Sequence, residues 1–374
     1  MSVLEIEPSN RRQVDQFLSL PFRLYQNVPQ WVPPLHLEAR RWLDRDRNPF
    51  FRTSAAAFFI VTADSEVPIG RLAVLDNQEY NAYNREKTAF FYLFDCEDNY
   101  EAAESLFGAA FAWARQRGLD KIIGPKGFSP LDGMGLLVGG FEHRPALGIP
   151  YNLPYYAGML EAIGFSGSGD VVSGYLSGQT RLPERVHQMA GLLQERRGLR
   201  IVRFRQRKDL RIILPKLKDL YNLSIEGTSG NYPLNDEQVK ILADQILRFA
   251  DPHLIKIVMK ADQIVGFLFA YPDISGALQR TQGSLFPFGW VNLLLESRKT
   301  RWVNINGMGM LREYRGAGGT ALLFSEIEKS IRMHGFEHAE LVQIGAENDR
   351  MLRELRSVGV DYYKKHRMYE YQLE

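Results

Sequence analysis

The sequence predicts a mixed α/β fold built twice, with each half a twisted, mixed β-sheet flanked by helices. Two observations support this prediction. The chain has 374 residues, too many for one ordinary hydrophobic core but suited to two domains. The same order of apolar patterns, strand-like, helical and strand-like again, also occurs in both halves. With 45% apolar and 24% charged residues, the composition is that of a folded protein.

In the first half, alternating apolar residues predict strands at 56–62, 69–75 and 89–94. A helical stripe follows at 100–117, and a strand-like segment at 119–125 comes next. The second half repeats this order. Its predicted elements are strands at 253–259, 264–271 and 302–310, a helix with Leu323, Ile327 and Ile331 on one face, and a strand at 339–345.

Each half then has a short helical segment that begins with asparagine and closes with glycine and an apolar residue, at 152–165 and 348–360. The first half alone carries a glycine-rich insertion, residues 127–150. We infer a duplicated α/β fold with three parts. These are a first domain at 1–180, a basic helical connector at 181–198 and a second domain at 199–374.

Charge and cysteine content limit the partners and the compartment. With 46 Lys and Arg against 44 Asp and Glu, the chain has no strong field for nucleic acid or an acidic membrane. Cys96 is the single cysteine, so no intramolecular disulfide forms, and the first residues do not resemble a secretion signal. We expect a cytoplasmic protein without a transmembrane segment or a nucleic-acid partner.

The run MLREYRGAGGTALL, residues 310–323, places a glycine-rich turn between a predicted strand and a predicted helix. Main-chain NH groups converge in such a turn, and the positive end of the helix dipole adds to them, which favours a phosphate group. The segment GSGDVV at 167–172 lacks the third glycine of a dinucleotide fingerprint, and no Walker-type loop is present. An anionic ligand is therefore expected at 315–320, although such turns also simply connect strands to helices.

This run resembles motif A of the GNAT superfamily of acyl-CoA N-acyltransferases. The usual pattern is Arg or Gln, two residues, Gly, one residue, then Gly or Ala, and Thr320 departs from its last position. Asn348 lies eleven residues before Gly359, which matches a second spacing of the superfamily. NVPQWVPPL and RNPFF in the first half are similar to segments of uncharacterised bacterial tandem-GNAT proteins.

The resemblance implies that the second half binds acetyl-CoA or another acyl-CoA. The Met310 main chain would pair with the pantetheine arm where two strands splay apart and would polarise the thioester carbonyl. The loop NH groups would hold the pyrophosphate, and Asn348 would contact the cosubstrate beyond it. The cofactor-binding residues that the resemblance implies are Met310, Arg312, Arg315, Gly316, Ala317, Gly318, Gly319, Thr320 and Asn348.

The catalytic residues are less clearly indicated. Many members of the superfamily use a tyrosine seven residues after the asparagine to protonate the departing thiolate, and that position here is Leu355. Glu347, Tyr362 and Tyr363 are the remaining candidates, each with a packing or solvent-exposed role as the alternative. The histidines show no metal-ligand spacing, so we expect no metal.

The first half differs at the corresponding turn. Aligned on the motif, it has Asn99 in place of the arginine and Ala102 in place of the first glycine. Three acidic residues surround the turn and would repel pyrophosphate: Glu97, Asp98 and Glu101. We expect a degenerate domain that shapes the acceptor site or supports the fold without binding CoA. Alternatively, it binds a different anion through the glycine-rich segment that contains Lys126.

The segment 275–301, between two predicted strands, contains the strongly apolar run SLFPFGWVNLLL. Three roles remain open for it: a wall of an acyl or apolar acceptor pocket, a surface that docks on a membrane, or a lid or interface helix.

The leading hypothesis for function is an acyl-CoA-dependent N-acyltransferase that transfers an acetyl or longer acyl group to an amine of a small molecule or an amino acid. One alternative is a non-catalytic acyl-CoA sensor or scaffold. Another is a tRNA-dependent aminoacyl ligase of tandem-GNAT type, against which the near-neutral charge argues. The oligomeric state stays open, with a homodimer among the candidates.

Overall fold

A computed structural model describes residues 1–63, 66–225, 230–314 and 319–374. The first half contains β1 (Ser2–Glu5), α1 (Arg11–Leu24), α2 (His36–Leu43), β2 (Ala55–Thr62), β3 (Pro68–Asp76), α3 (Gln78–Asn84), β4 (Thr88–Cys96), α4 (Tyr100–Gln116), β5 (Lys121–Gly124), β6 (Leu136–Gly139), α5 (Tyr156–Ile163) and β7 (Ser166–Ser177).

The second half begins with a helix in the predicted connector. It contains α6 (Glu184–Arg197), β8 (Leu199–Val202), α7 (Leu214–Ser224), α8 (Asp236–Phe249), β9 (Lys256–Lys260), β10 (Gln263–Pro272), α9 (Ser275–Thr281), α10 (Gly289–Lys299), β11 (Trp302–Met310), α11 (Gly319–Met333), β12 (His338–Gly345), α12 (Asp349–Arg356) and β13 (Asp361–Gln372). The predicted strands match these bounds to within three residues at each end. The division into domains at 181–198 stays a prediction.

The described strands form one mixed sheet, which confirms the predicted mixed α/β class. The order along the sheet is β1-β2-β3-β4-β5-β13-β7-β12-β11-β10-β9-β8, and β6 pairs with β13. The pairs β4–β5 and β11–β12 are parallel, and the other neighbours are antiparallel. The sequence did not indicate that the two halves join edge to edge in a single sheet.

The join is an exchange of strands between the halves. The last strand of the first half, β7, pairs with β12 of the second half through Leu341 and Gly174. The last strand of the second half, β13, pairs with β5 of the first half through Tyr369 and Gly124. Because β7 and β13 also pair with each other, each half-sheet is completed by a strand of the other.

Matching backbone details show that the halves repeat one structure. Strands β4 and β11 both have nine residues, and the sixth residue of each is left-handed, Leu93 with φ 51° and Gly307 with φ 114°. The last residue of β4, Cys96, pairs with Gly70, and the last residue of β11, Met310, pairs with Gly266. Cys96 in the first half and Met310 in the second half therefore occupy equivalent positions in the repeated structure.

Apolar cores lie on both faces of the sheet. In the first half, one core lies between the sheet and helices α4 and α5, and another lies under α1 and α2. In the second half, α6 packs on α11, and Leu323, Ile327 and Ile331 are buried in its core as the sequence predicts. Among the described residues, no helix has the length and apolar character needed to cross a membrane.

Candidate active site

The two parallel strands of the second half stop pairing partway along. The pairs run from Trp302–His338 to Ile305–Leu341. Beyond them β11 continues to Met310 and β12 continues to Gly345 without a further pair between them. We call this interval the strand opening. Met310 lies where the resemblance places it, at the end of β11 beside the opening.

Helix α11 begins directly against the end of β11. A Cβ atom built on Gly319 would lie 2.9 Å from Cε of Met310 and 3.2 Å from the Tyr314 carbonyl oxygen, so glycine permits this close approach without a shift of the Met310 side chain. Thr320 lies in the first turn of the helix. Four predicted cofactor-binding residues fall outside the described residues: Arg315, Gly316, Ala317 and Gly318.

Two other predicted cofactor-binding residues are exposed near the opening. Arg312 lies in a short 3-10 helix directly after β11. Asn348 caps α12, and its side-chain oxygen accepts a hydrogen bond from the Met351 NH at 3.2 Å. Leu355 is buried in the core of the second half and so packs rather than facing the opening.

A group of buried polar side chains lies at the closed end of the strand opening, on the pair Asn304–Glu340 and its neighbours. The Lys364 ammonium lies 2.6 Å from the Glu340 carboxylate, and the half-buried ring of Tyr363 lies 4.8 Å from the same ammonium. The Asn304 amide donates to Asp273 at 3.3 Å. We call these five residues the polar cluster.

Burial dominates the electrostatics of the polar cluster. It raises the pKa of Glu340, and the nearby Lys364 opposes that rise. Burial also lowers the pKa of Lys364. The pKa of Tyr363 is raised by burial and by the Glu340 charge, so the phenol keeps its proton at neutral pH.

The structure separates the three predicted catalytic residues. Tyr363 belongs to the polar cluster. The neighbouring Tyr362 donates its hydroxyl hydrogen to the Leu352 carbonyl at 2.8 Å, beside α12. Glu347 is exposed, with its carboxylate close to Gly345. Their catalytic roles stay predictions, and Tyr363 alone has a buried acid–base partner among the described residues.

Sequence reasoning missed the other members of the polar cluster. Glu340 and Asn304 alternate with apolar residues along their strands, so each has the pattern of an outward-facing polar position. Their partners are Lys364 and Asp273, which a segment of the first half contacts in turn, and no local pattern of the second half reveals this arrangement.

This segment, residues 125–155, connects β5 to α5 and lies over the polar face of the second half. Arg144 pairs with Asp273 at 2.7 Å, and the Arg144 carbonyl accepts from Lys364 at 2.8 Å. Gln343 on β12 exchanges two hydrogen bonds with the main chain of Met134, at 2.6 and 3.1 Å. We call residues 125–155 the roof.

Comparison with known proteins agrees with this geometry. No known family model matches the chain. Protein YghO of Escherichia coli K12 is 26% identical over 97% of this chain and 94% of its own length. A bacterial ceramide synthase of Caulobacter vibrioides is 26% identical over 96% of this chain and 94% of its own length.

Two solved structures superpose on the whole chain. A tandem GNAT protein from the clavulanic acid biosynthesis pathway has a TM-score of 0.55 at 12% identity, covering 100% of this chain and 98% of its own. A GCN5-related N-acetyltransferase from Anabaena variabilis has a TM-score of 0.52 at 9% identity, covering 100% and 73%. The chain has the tandem GNAT fold. The resemblance seen in the sequence is therefore confirmed at the level of the fold.

The two halves of the tandem GNAT fold differ at their equivalent positions. In the first half, the hydroxyl of Tyr156 accepts from the Cys96 NH at 2.8 Å, and the hydroxyl of Tyr155 donates to the Cys96 carbonyl at 2.6 Å. Side chains of the first half therefore occupy the main-chain groups equivalent to those of Met310.

The connection from strand to helix also differs between the two GNAT-fold halves. It has three residues in the first half, 97–99, whereas in the second half four described residues, 311–314, follow β11 and include a short 3-10 helix. Asn99 caps α4 by accepting from the Ala102 NH at 3.0 Å.

Lys126 is the cation that the sequence offers for binding a different anion in the first half. It donates to the Gly230 carbonyl, and burial lowers its pKa to about 8.

Proposed function

We propose that the protein is an acyl-CoA-dependent N-acyltransferase and that its second half holds the acyl-CoA. The observation that carries this proposal is the contrast between the halves. Parallel strands stop pairing in both halves, but in the first half the Tyr155 and Tyr156 hydroxyls bind the Cys96 main chain, whereas in the second half the glycine-rich motif follows Met310. Acyl-CoA would supply the activated acyl group as a thioester.

The curated relatives favour a long-chain acceptor. One of them is named a bacterial ceramide synthase. A ceramide is a long-chain amino alcohol that carries an acyl chain on its nitrogen, so its synthesis forms an amide at an amine. We therefore propose a long-chain amine or amino alcohol as the acceptor and a long-chain acyl-CoA as the donor, ahead of a small amine with acetyl-CoA.

The proposed transfer forms a C–N bond between the amine and the acyl carbon and breaks the C–S bond of the thioester. The Met310 main chain would bind the pantetheine arm at the open end of the interval. The thioester would then lie further along β11, toward the polar cluster, where main-chain NH groups of the opening would polarise its carbonyl. Tyr363, protonated at neutral pH, would give its proton to the departing thiolate and recover one from the amine nitrogen. Glu340 and Lys364 would orient the phenol, and the roof would exclude water.

The proposal is tested by measuring free thiol. The protein is incubated with acetyl-CoA or palmitoyl-CoA and with sphinganine, ethanolamine or a set of amino acids. We expect thiol release with palmitoyl-CoA and sphinganine, and its loss in Gly318→Glu because a carboxylate in the motif loop repels pyrophosphate.

Gly108→Glu is the matched control, because Gly108 is exposed on α4 with open space around it. It should keep wild-type turnover. If CoA binds tightly but no acceptor supports thiol release, the protein is an acyl-CoA sensor or scaffold instead. If Gly318→Glu and wild type bind CoA equally, the nucleotide binds elsewhere.

A further inference from the structure

A patch of exposed apolar side chains lies on the α9–α10 hairpin, and none of its residues takes part in the proposed chemistry. Phe286 is 80% exposed, Phe288 70% and Trp290 56%, and Leu294 and Leu295 are more than 40% exposed. Among the described residues, no other ten-residue stretch has more than two exposed large apolar side chains. We call these five residues the hairpin patch. Patches of this kind mark interaction surfaces.

A fixed element presents the hairpin patch. The opposite face of α10 packs Leu293 against Ala277 and Leu278 of α9. Arg280 and Glu296 form an ion pair that joins the two helices. Because these contacts pack the inner face of α10 against α9, its outer face is held in a fixed position with its apolar side chains in solvent.

Positive charge follows the apolar residues along the same helix. Trp290, Leu294 and Arg298 are spaced by four residues and share one face, and Leu295 and Lys299 lie beside them. Arg298 lies about 12 Å along the helix from Trp290. Arg298 and Lys299 are exposed and have no ion-pair partner among the residues that the structure describes.

This arrangement matches the layers of a bilayer surface. Amphipathic elements insert their apolar side chains about 5–10 Å into the boundary between headgroups and acyl chains. Aromatic residues are favoured at that depth. Two basic residues roughly one to two turns behind the apolar tip would then lie at the level of lipid phosphates. A second copy of the hairpin patch would carry the same positive charge and is therefore a poorer match than an anionic surface.

The hairpin is joined to the proposed acceptor side of the site. At its base the Asp273 NH donates to the Trp302 carbonyl at 2.9 Å, and Asp273 belongs to the polar cluster. Leu147 of the roof packs against the apolar residues between α9 and α10. A long-chain substrate that leaves a bilayer at the hairpin would therefore reach the roof directly.

We propose that the hairpin patch docks the protein on an anionic lipid bilayer. The delivery of a long-chain substrate from that bilayer rests on the proposed function, whereas the docking itself does not. Vesicles of phosphatidylcholine, with and without one quarter phosphatidylglycerol, provide the test by flotation. We expect wild type to float with the mixed vesicles.

Changing Phe286, Phe288 and Trp290 together to serine should weaken binding to mixed vesicles at least tenfold, an order-of-magnitude expectation for three apolar side chains kept in water. Met333→Ser is the matched control, because Met333 is 79% exposed on α11 outside the patch. The double variant Arg298→Gln with Lys299→Gln should bind mixed vesicles about 30-fold more weakly, because each basic residue near an anionic surface contributes about 1 kcal/mol. Its affinity for pure phosphatidylcholine vesicles should change little.

Two outcomes would overturn the proposal. The first is that wild type does not float with the mixed vesicles, or floats with them no better than the triple serine variant does. The other is a wild-type dimer in solution that the triple variant converts to monomer, which assigns the patch to a second copy. Thiol release with palmitoyl-CoA and sphinganine, measured in detergent without vesicles, should be the same in the triple variant and wild type. An inactive wild type would contradict the proposed function and leave the flotation result to decide the docking.

Discussion

At the scale of single residues, Tyr362 and Tyr363 form a natural pair for testing proton transfer. They are adjacent on β13, but only Tyr363 lies beside the Lys364–Glu340 ion pair, while the Tyr362 hydroxyl donates to the Leu352 carbonyl. We expect Tyr363→Phe to lower kcat by roughly 10²-fold, since positioned proton donors contribute about that much or more. Steady-state thiol release measures the effect.

Tyr362→Phe is the control for this prediction and should change kcat less than about threefold. CoA affinity should stay at the wild-type value in both variants, because neither hydroxyl lies in the motif loop. Equal kcat values for the two variants would remove Tyr363 from the mechanism and leave water as the proton donor.

His366 makes stability depend on pH. It is fully buried on β13, with Nε2 at 3.0 Å from the Pro150 carbonyl of the roof, and burial lowers its pKa to about 4 from 6.5. In the unfolded chain His366 becomes protonated as the pH falls through 6.5, whereas in the folded chain it stays neutral until about pH 4. The contribution of neutral His366 to the free energy of unfolding is fully present above pH 6.5. It is lost on acidification, by about 2 kcal/mol between pH 7.5 and 5.

Urea unfolding of wild type and His366→Gln at these two pH values measures this contribution. Glutamine retains a donor at the Nε2 position but does not titrate, so its stability should fall by about 2 kcal/mol less than that of wild type. Parallel pH dependence of the two proteins would show that His366 is not the group responsible.

At the scale of elements, the strand exchange makes each half depend on the other. Strand β13 pairs with β5, β6 and β7 of the first half. A fragment of residues 1–198 lacks β13 and exposes unpaired strand edges, which favour aggregation. We expect this fragment to be insoluble when expressed alone and to be recovered in a soluble complex when residues 199–374 are co-expressed.

Circular dichroism and size-exclusion chromatography of the fragments check this prediction. The unbroken chain is the control for expression. A monomeric 1–198 fragment with a cooperative thermal transition would mean that the first half folds without the exchanged strand.

Most elements of the fold were predictable from the sequence, but the exchange was not. Alternation of apolar and polar residues from Val303 to Asn306 marks β11, whose bounds the structure confirms. Strands β7 and β13 are equivalent twelve-residue strands, so periodicity cannot tell which of them completes which half. Pairing between the halves depends on contacts about 200 residues apart in the chain, which local patterns do not encode.

The candidate site was predictable in part for a similar reason. The glycine-rich turn and Met310 follow from a local pattern, and Tyr363 was among the candidates. Glu340 and Asp273 are buried by partners distant in the chain, since Glu340 pairs with Lys364 of β13 and Asp273 pairs with Arg144 of the roof. Residues whose role depends on such coverage have no signature in a single sequence.

At the scale of the whole molecule, the roof links the first half to the chemistry proposed for the second. Arg144 holds it to the buried Asp273 by an ion pair, with the Arg144 side chain half-buried. We expect Arg144→Met to raise KM for the amine about tenfold while CoA affinity stays unchanged, because the roof covers the polar cluster and not the motif loop. Thiol-release kinetics and calorimetry with CoA provide the two values.

Arg12→Met serves as the control, because Arg12 pairs with Glu66 on the exposed surface, where an ion pair contributes little. It should leave both values unchanged. A parallel loss of CoA affinity in Arg144→Met would mean that the roof supports the second half in general rather than the acceptor side.

The exchanged strands also impose an order of events during synthesis. Strand β5 ends at Gly124, and its partner β13 begins at Asp361. At about 5–20 residues per second, the ribosome needs roughly 10–50 s to make the intervening chain. Throughout that interval the nascent first half carries an open β5 edge, a binding site for a chaperone until the final strand emerges and closes it.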